Sequence, residues 1–275
     1  MSVQKELSAI GLIRASTASI RSHRYLLREF VLKDIKGRFI GSMGGNLWVI
    51  LNPLATIITY WFIFSIVLRV TVSQAESGTD NFTIYFLTGF FPWFMFAESL
   101  SRSAVSLIEN AQLITKVVFP VELIPASVVF SSFIINGIGM VCFLLCLIGF
   151  GYFHFIWIGL LYLIAAQILF TWGISNLLAS LCVFVRDIKE LLVIILMVWF
   201  YFTPIVYPVS LLPKAFQKLM VINPMWDFIN LYRQVLLQQM FDLGLATGIG
   251  IMSLATYAMG TWFFMRSKNA VGDVL

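Results

Sequence analysis

Few side chains of this protein could do covalent chemistry, and they are scattered along the sequence. The two histidines, His23 and His154, stand far apart, and there are three cysteines. Cys142 and Cys146 lie one helical turn apart in an apolar run, as packing residues do, and a zinc site would want more ligands. A membrane acyl- or glycosyltransferase would need a cluster of His, Asp or Glu at the membrane surface. We therefore expect no catalytic residue and no metal site, and such an enzyme is the less favoured alternative.

The sequence also lacks a nucleotide site of its own. It has no GxxxxGK loop after a strand-like segment and no room for the sheet which that loop requires. If ATP drives this protein, ATP and Mg²⁺ are bound by a separate chain, and no cofactor is expected here. Energy would then have to enter through contacts with that partner.

Glu98 and Arg102 are charged residues within an otherwise apolar segment. An ionisable residue at membrane depth is a functional candidate by default. Their (i, i+4) spacing offers a plainer reading, an ion pair within one helix. We expect the pair, because a proton relay would need further carboxylates in the spans.

The elements that would position these residues are membrane-spanning helices. Of 275 residues, 60% are hydrophobic and 11% charged, against about 25% charged in soluble domains. A membrane helix needs roughly 20 apolar residues. The sequence therefore predicts an all-α polytopic membrane protein with one transmembrane domain over 1–275. Its six predicted spans are 47–68, 83–105, 124–150, 156–182, 191–207 and 243–265.

Lysine and arginine orient the chain. With the N-terminus inside, the predicted cytoplasmic segments carry 14 of the 18 Lys and Arg, and the external segments carry 4. This bias predicts that both termini are cytoplasmic. The net charge of +5 follows from the topology and does not indicate nucleic-acid binding. The domain divides into a cytoplasmic interface segment, spans one to five, an external region, span six and a cytoplasmic tail: 1–46, 47–207, 208–242, 243–265 and 266–275.

Residues 18–40 predict an amphipathic helix at the inner membrane surface. Leu27, Phe30, Val31 and Ile35 repeat at helical spacing, and arginines form a basic stripe. Such a helix lies with its apolar side in the acyl boundary and its cations near anionic headgroups. It could serve only as a topology anchor, or it could also contact a cytoplasmic partner.

Two polar regions are longer than simple turns require. Residues 109–125 lie on the predicted cytoplasmic side and predict a short helix ended by Pro120 and Pro125, although an ordinary amphipathic loop is the alternative. Residues 208–242 lie outside and are too polar to span, yet their apolar residues recur on one helical face. Short re-entrant helices between spans five and six fit this pattern, and an interfacial lid is the alternative.

Several segments, in order, resemble the type-2 ABC exporter permeases that export polysaccharides such as O-antigens, capsules and teichoic acids. They are KGRFIGSMGGNLWVILNP, LIENAQLITKVVFPVELIP, VFVRDIKELL, YFTPIVYPVSLLP and NPMWDFINLYRQVLL. The resemblance implies a homodimer that works with two ABC ATPase subunits in a bacterial inner membrane. It implies a lipid-linked glycan as substrate, although a drug or a small lipid remains an alternative. A channel or scramblase that needs no ATPase is a further alternative.

Three groups of residues are candidates for these roles. The predicted contacts with the ATPase are Glu109, Gln112, Lys116, Phe119, Pro120, Glu122, Arg186 and Asp187. Aromatic faces can stack on sugars without demanding one sugar sequence, and the candidates for lining the path are Tyr60, Trp61, Phe64, Phe90, Trp93, Trp199, Tyr201, Phe202 and Tyr207. The resemblance implies an external gate, for which the candidates are Pro208, Pro213, Pro224, Trp226 and Arg233.

Overall fold

The structure is a computed structural model that describes residues 9–38, 44–116 and 119–275. Within these ranges the chain is almost entirely helical, as predicted, and no β-strand is formed. An isolated bridge joins Thr71 to Asn81 in the connection between two helices. The all-α prediction is therefore confirmed.

The N-terminal segment forms two helices where one was predicted over 18–40. They are α1, Ala9–Ser22, and α2, Arg24–Gly37. The break falls at His23, where the side chains of Ser22 and His23 both bond to the Ser19 carbonyl oxygen, at 2.9 and 2.8 Å. Polar side chains that bond back to the preceding turn bend helices, which explains the break. Residues 39 and 40 of the predicted helix lie outside the described residues.

A helix lies over each of the six predicted spans, the last one running nine residues beyond its predicted end, and within the described residues four short α-helices lie between the spans. The helices are α3 (Trp48–Trp61), α4 (Gln74–Ser77), α5 (Phe82–Glu109), α6 (Ala111–Lys116), α7 (Leu123–Gly149), α8 (Gly159–Phe184), α9 (Ile188–Phe202), α10 (Lys214–Leu219), α11 (Pro224–Arg233) and α12 (Leu243–Val274). A π-helical segment, Phe62–Val67, continues α3.

Four helical segments of the described chain are long and apolar enough to cross a membrane: Trp48–Val67, Leu123–Gly149, Phe155–Phe184 and Leu243–Gly272. The other two predicted spans fall on α5 and α9. Helix α5 has 28 residues but includes Glu98, Arg102 and several serines, and α9 has 15 residues. At 1.5 Å per residue α9 is about 22 Å long, shorter than a hydrocarbon core of about 30 Å. The six-span count therefore stays a prediction.

Helices α5, α7, α8 and α12 form the packed centre of the chain. The closest approach is between α8 and α12, where a side chain on Gly260 would overlap the Gly173 carbonyl oxygen. Small residues allow membrane helices to pack this closely. A side chain on Gly248 of the same helix α12, by contrast, would meet open space.

Residues 208–242, the predicted external region, contain short helices. Asn223 caps α11, accepting a bond from the Met225 N–H at 3.1 Å, and Pro224 occupies its first turn. Helix α11 is buried against α5, α8 and α12. Whether these helices re-enter a membrane stays a prediction.

Candidate functional site

The segment between α5 and α7 differs from the single helix predicted over 109–125. Helix α5 ends at Glu109, the six-residue α6 follows, and α7 begins at Leu123 with Pro125 in its first turn. Residues 117 and 118 lie outside the described residues. Pro120 falls in the turn before α7, so it precedes a helix and does not end one.

The predicted contact residues separate into an exposed set and a packed set. Glu109, Gln112 and Lys116 are exposed on or beside α6, and Arg186 and Asp187 are exposed between α8 and α9. A partner chain could reach these five side chains directly. Both loops extend from one small apolar cluster, in which Ile114 and Phe119 pack near Val121, Ile124 and Val183.

Phe119 and Glu122 belong to the packed set. The Phe119 ring lies 5.0 Å from the Phe30 ring of α2, so it ties the segment to the N-terminal helices. Glu122 is only 3% exposed and accepts a bond from Lys268 Nζ of α12 at 2.6 Å. The prediction that Glu122 contacts a partner is therefore wrong for this structure, because its carboxylate faces the inside of the chain.

The Glu122 carboxylate joins three parts of the chain. Burial alone would raise its pKa, but hydrogen bonds from Lys268 and from Ser19 of α1, together with the Lys268 charge, lower it below its ordinary value. The ionised carboxylate thus connects α1, the start of α7 and the end of α12.

The predicted ion pair between Glu98 and Arg102 was also wrong, because both side chains take partners from other helices. Arg102 donates to both carboxylate oxygens of Asp34 in α2, at 2.6 and 2.9 Å. Glu98 pairs with Arg38, at the end of α2, and accepts a bond from Asn136 of α7 at 2.6 Å. Two residues on one helix thereby attach α2 to the bundle.

Serines of α7 complete this four-charge cluster of Asp34, Arg38, Glu98 and Arg102. Ser131 donates to Asp34 at 2.5 Å, and Ser132 accepts from Arg38 at 2.9 Å. Burial would raise the pKa of Asp34, but the bonds from Arg102 and Ser131 and the charges of Arg102 and Arg38 lower it. The carboxylate is therefore held ionised beside two guanidinium groups.

Sequence reasoning missed Asp34, Ser131, Ser132, Asn136 and Lys268. Their interhelical partners lie 30 to 146 positions away in the chain, where no local spacing can reveal them. Two signals were present. Asp34 and Arg38 have the (i, i+4) spacing of a helical ion pair and lie 3.6 Å apart. Ser131, Ser132 and Asn136 are polar residues on a helix that is mostly apolar, and such residues need partners inside the protein.

The aromatic path candidates lie in different environments. Tyr60, Phe64 and Phe90 are partly buried and pack against the Phe86 ring, with ring centroids 4.5 to 5.3 Å from it. Trp93 is buried against Trp199 at 5.8 Å, and Trp199 donates to Asn223 at 2.8 Å, so both serve packing in this chain. Among the path candidates, the rings of Trp61, Tyr201 and Phe202 are exposed, and Tyr207 is partly buried.

Arg233 is the most enclosed of the external gate candidates. It is 3% exposed, lies 3.6 Å over the Tyr85 ring, and donates to the Pro204 carbonyl oxygen at 2.8 Å. It therefore joins α11 to α5 and to the turn that follows α9. Pro208 and Trp226 are partly buried, and Pro213 is exposed.

Within the described residues, no group of His, Cys, Asp or Glu could hold a metal ion.

The family profile of ABC-2 type transporters matches residues 25–237. An O-antigen export system permease protein, RfbA, from Klebsiella pneumoniae is 31% identical over 257 residues, covering 91% of this chain and 95% of that protein. RfbA from Myxococcus xanthus is 28% identical over 78% of this chain and 80% of its own length. The polysialic acid transport protein KpsM of Escherichia coli is 22% identical over 87% of this chain and 92% of its own length. This chain is a membrane protein that belongs to the ABC-2 type transporter family.

Proposed function

We propose that this chain is the permease subunit of an ATP-driven exporter that moves a lipid-linked, O-antigen-like polysaccharide out of the cytoplasm. The observation that carries the proposal is the 31% identity to an O-antigen export permease over nearly the full length of both proteins. The weaker likeness to a polysialic acid transporter makes an acidic capsular glycan the second candidate substrate.

The energy source in this proposal is a separate ABC ATPase that binds ATP and Mg²⁺. The exposed residues Glu109, Gln112, Lys116, Arg186 and Asp187 are its proposed contact surface. Helix α6 and the loop before α9 adjoin one apolar cluster, which also contains residues of α7, α8 and α12. A displacement of either segment by the ATPase would therefore be transmitted to all three helices.

The proposed assembly holds two copies of this chain and two ATPase subunits. Helix α3 buries none of its residues within the chain, and α9 buries only Leu192 and Leu196. Both therefore leave broad apolar faces for lipid or a second copy. Trp61, Tyr201 and Phe202 lie exposed on these two elements, where a path between copies would use them.

We place the protein in a bacterial inner membrane with both termini in the cytoplasm. The excess of Lys and Arg on one side supports this orientation. In addition, the Glu122 carboxylate contacts Ser19 of α1 and Lys268 near the end of α12, so the first described helix and the end of the last helix lie together.

Deleting this chain in its native host tests the function. We expect polysaccharide to accumulate in the cytoplasm and to disappear from the cell surface, with recovery when the chain is supplied again in a strain that retains the ATPase. Unchanged surface polysaccharide in the deletion strain, with no second permease present, would contradict the proposal.

A further inference from the structure

A cavity of about 360 Å³ lies between the end of α2 and helices α3, α5 and α7. It is at the lower end of the range for small-molecule sites, about 300 to 1,000 Å³. Its size suits a short polar headgroup and not a polymer chain. Among the residues predicted to contact the ATPase or line the path, only Phe90 borders it.

One wall of the cavity is polar and is formed by Arg38, Asn52, Glu98 and Asn136. Its charges already satisfy each other. Arg38 binds Glu98 and, through its second terminal nitrogen, Ser132, and the other Glu98 oxygen accepts from Asn136 at 2.6 Å. With Asp34 and Arg102, the cluster has two negative and two positive groups. It therefore offers no net charge to a phosphate or an ammonium group.

Helices α3 and α5 also carry an aromatic wall, one turn from two of these polar groups. Phe94 precedes Glu98 by four residues on α5, and Trp48 precedes Asn52 by four on α3. The Phe90 and Phe94 rings stack with centroids 5.5 Å apart and planes 11° apart. Phe94 and Trp48 are 43% and 42% exposed, so the aromatic wall reaches the surface of the chain. Flat apolar rings beside amide and carboxylate groups in one cavity match the chemistry of a sugar, which has an apolar C–H face and a rim of hydroxyls.

We propose that this cavity binds a neutral sugar headgroup of a membrane amphiphile. The C–H face of the sugar lies against Phe94 and Trp48, and its hydroxyls bond to Asn52, Asn136 and Glu98. This inference rests on the proposed function and deepens it, because the sugar nearest the lipid of a glycan substrate is the headgroup that would dock here. An unrelated glycolipid of the inner leaflet has the same chemistry.

Photolabelling in membrane vesicles that contain the full chain tests the proposal. The probe is dodecyl glucoside with a diazirine on its sugar, and the comparison probes carry phosphate or phosphoethanolamine headgroups. After labelling, the chain is purified and the modified peptides are identified. We expect the glucoside to label α3, α5 and α7 around the cavity and to be displaced by unlabelled dodecyl glucoside.

Two variants make the test specific. Asn52→Leu removes a hydroxyl partner, and Phe94→Leu keeps an apolar side chain but removes the flat ring. Each should reduce labelling of the cavity about five- to tenfold, as the loss of one good contact does. The matched control is Phe62→Leu. It makes the same change in the π-helical segment that continues α3, outside the cavity, and it should leave labelling unchanged.

The proposal is overturned if either comparison probe labels the cavity as strongly as the glucoside, or if Asn52→Leu and Phe94→Leu both label like the unaltered chain. To distinguish the two sources, the purified lipid-linked glycan is added as a competitor. Competition identifies the substrate as an occupant, and its absence assigns the cavity to another glycolipid. Labelling requires neither the ATPase nor export, so loss of export with intact labelling would remove the proposed function alone.

Discussion

The ion pair between Glu122 and Lys268 gives the sharpest prediction about how this chain is held together. Glu122 is nearly fully buried, and the Lys268 side chain is 28% exposed. Lys268 Nζ lies 2.6 Å from Glu122 Oε2. Removing one partner of a buried pair costs about 3–5 kcal/mol. The partial exposure of Lys268 lets water screen its charge, which places the expected loss for Glu122→Gln at about 2–3 kcal/mol.

Thermal unfolding of the solubilised chain would measure this loss. At about 2–4 °C per kcal/mol for a chain of 150 to 250 residues, we expect Tm to fall by about 4–12 °C for Glu122→Gln and by a similar amount for Lys268→Met. The double reversal, Glu122→Lys with Lys268→Glu, should recover part of the loss because the charges again attract. Lys116→Met is the matched control, since this exposed lysine should leave Tm unchanged.

The reasoning would be refuted by a Tm for Glu122→Gln within about 1 °C of the unaltered chain. It would equally be refuted if the two single losses simply added in the double variant Glu122→Gln with Lys268→Met, because residues that interact show non-additive effects.

Three further predictions concern the partner surface, the helix crossing and the dependence on pH. Lys116→Glu should weaken binding of the ATPase about five- to tenfold in a pull-down titration, with Tm unchanged, because it reverses an exposed contact charge. Gly260→Ala should lower Tm by several degrees and Gly248→Ala should not, because only the first forces backbones apart. Asp34 and Glu122 have pKa values below their ordinary 3.8 and 4.5, so their ionised forms stabilise the fold above those values. The Tm should therefore be nearly flat from pH 8 to about 5 and should fall below about pH 4, where protonation removes both ion pairs; a Tm that rises there would contradict the sign.

The helical architecture was predictable because it depends on apolar segments that are continuous in sequence. The ends of α7 and α8 fall within a few residues of the predicted spans for this reason. The two helices at the N-terminus were not predictable from apolar spacing, which runs through His23 without interruption. Their break depends on side-chain bonds to the Ser19 carbonyl oxygen.

The charged contacts were the least predictable part of the site. The spacing of Glu98 and Arg102 suited a pair within one helix, but Asp34 and Arg38 bring a matching pair of charges on α2. Asp34 keeps a longer contact with Arg38 within α2, at 3.6 Å, but its shorter ion pair is with Arg102 of α5, at 2.6 Å. Likewise, Glu122 was predicted to lie on the surface because no basic partner stands near it in a helical register. Its partner, Lys268, is 146 positions away.

ATP-dependent movement of a lipid-linked glycan across a sealed membrane tests the central claim most directly. The purified chain and its ATPase are reconstituted in liposomes, and the glycan that becomes accessible on the far side is measured. We predict transfer only when ATP and both proteins are present, and none with an ATPase that binds but does not hydrolyse ATP. Equal transfer by the chain alone would contradict the account and would identify a channel or scramblase.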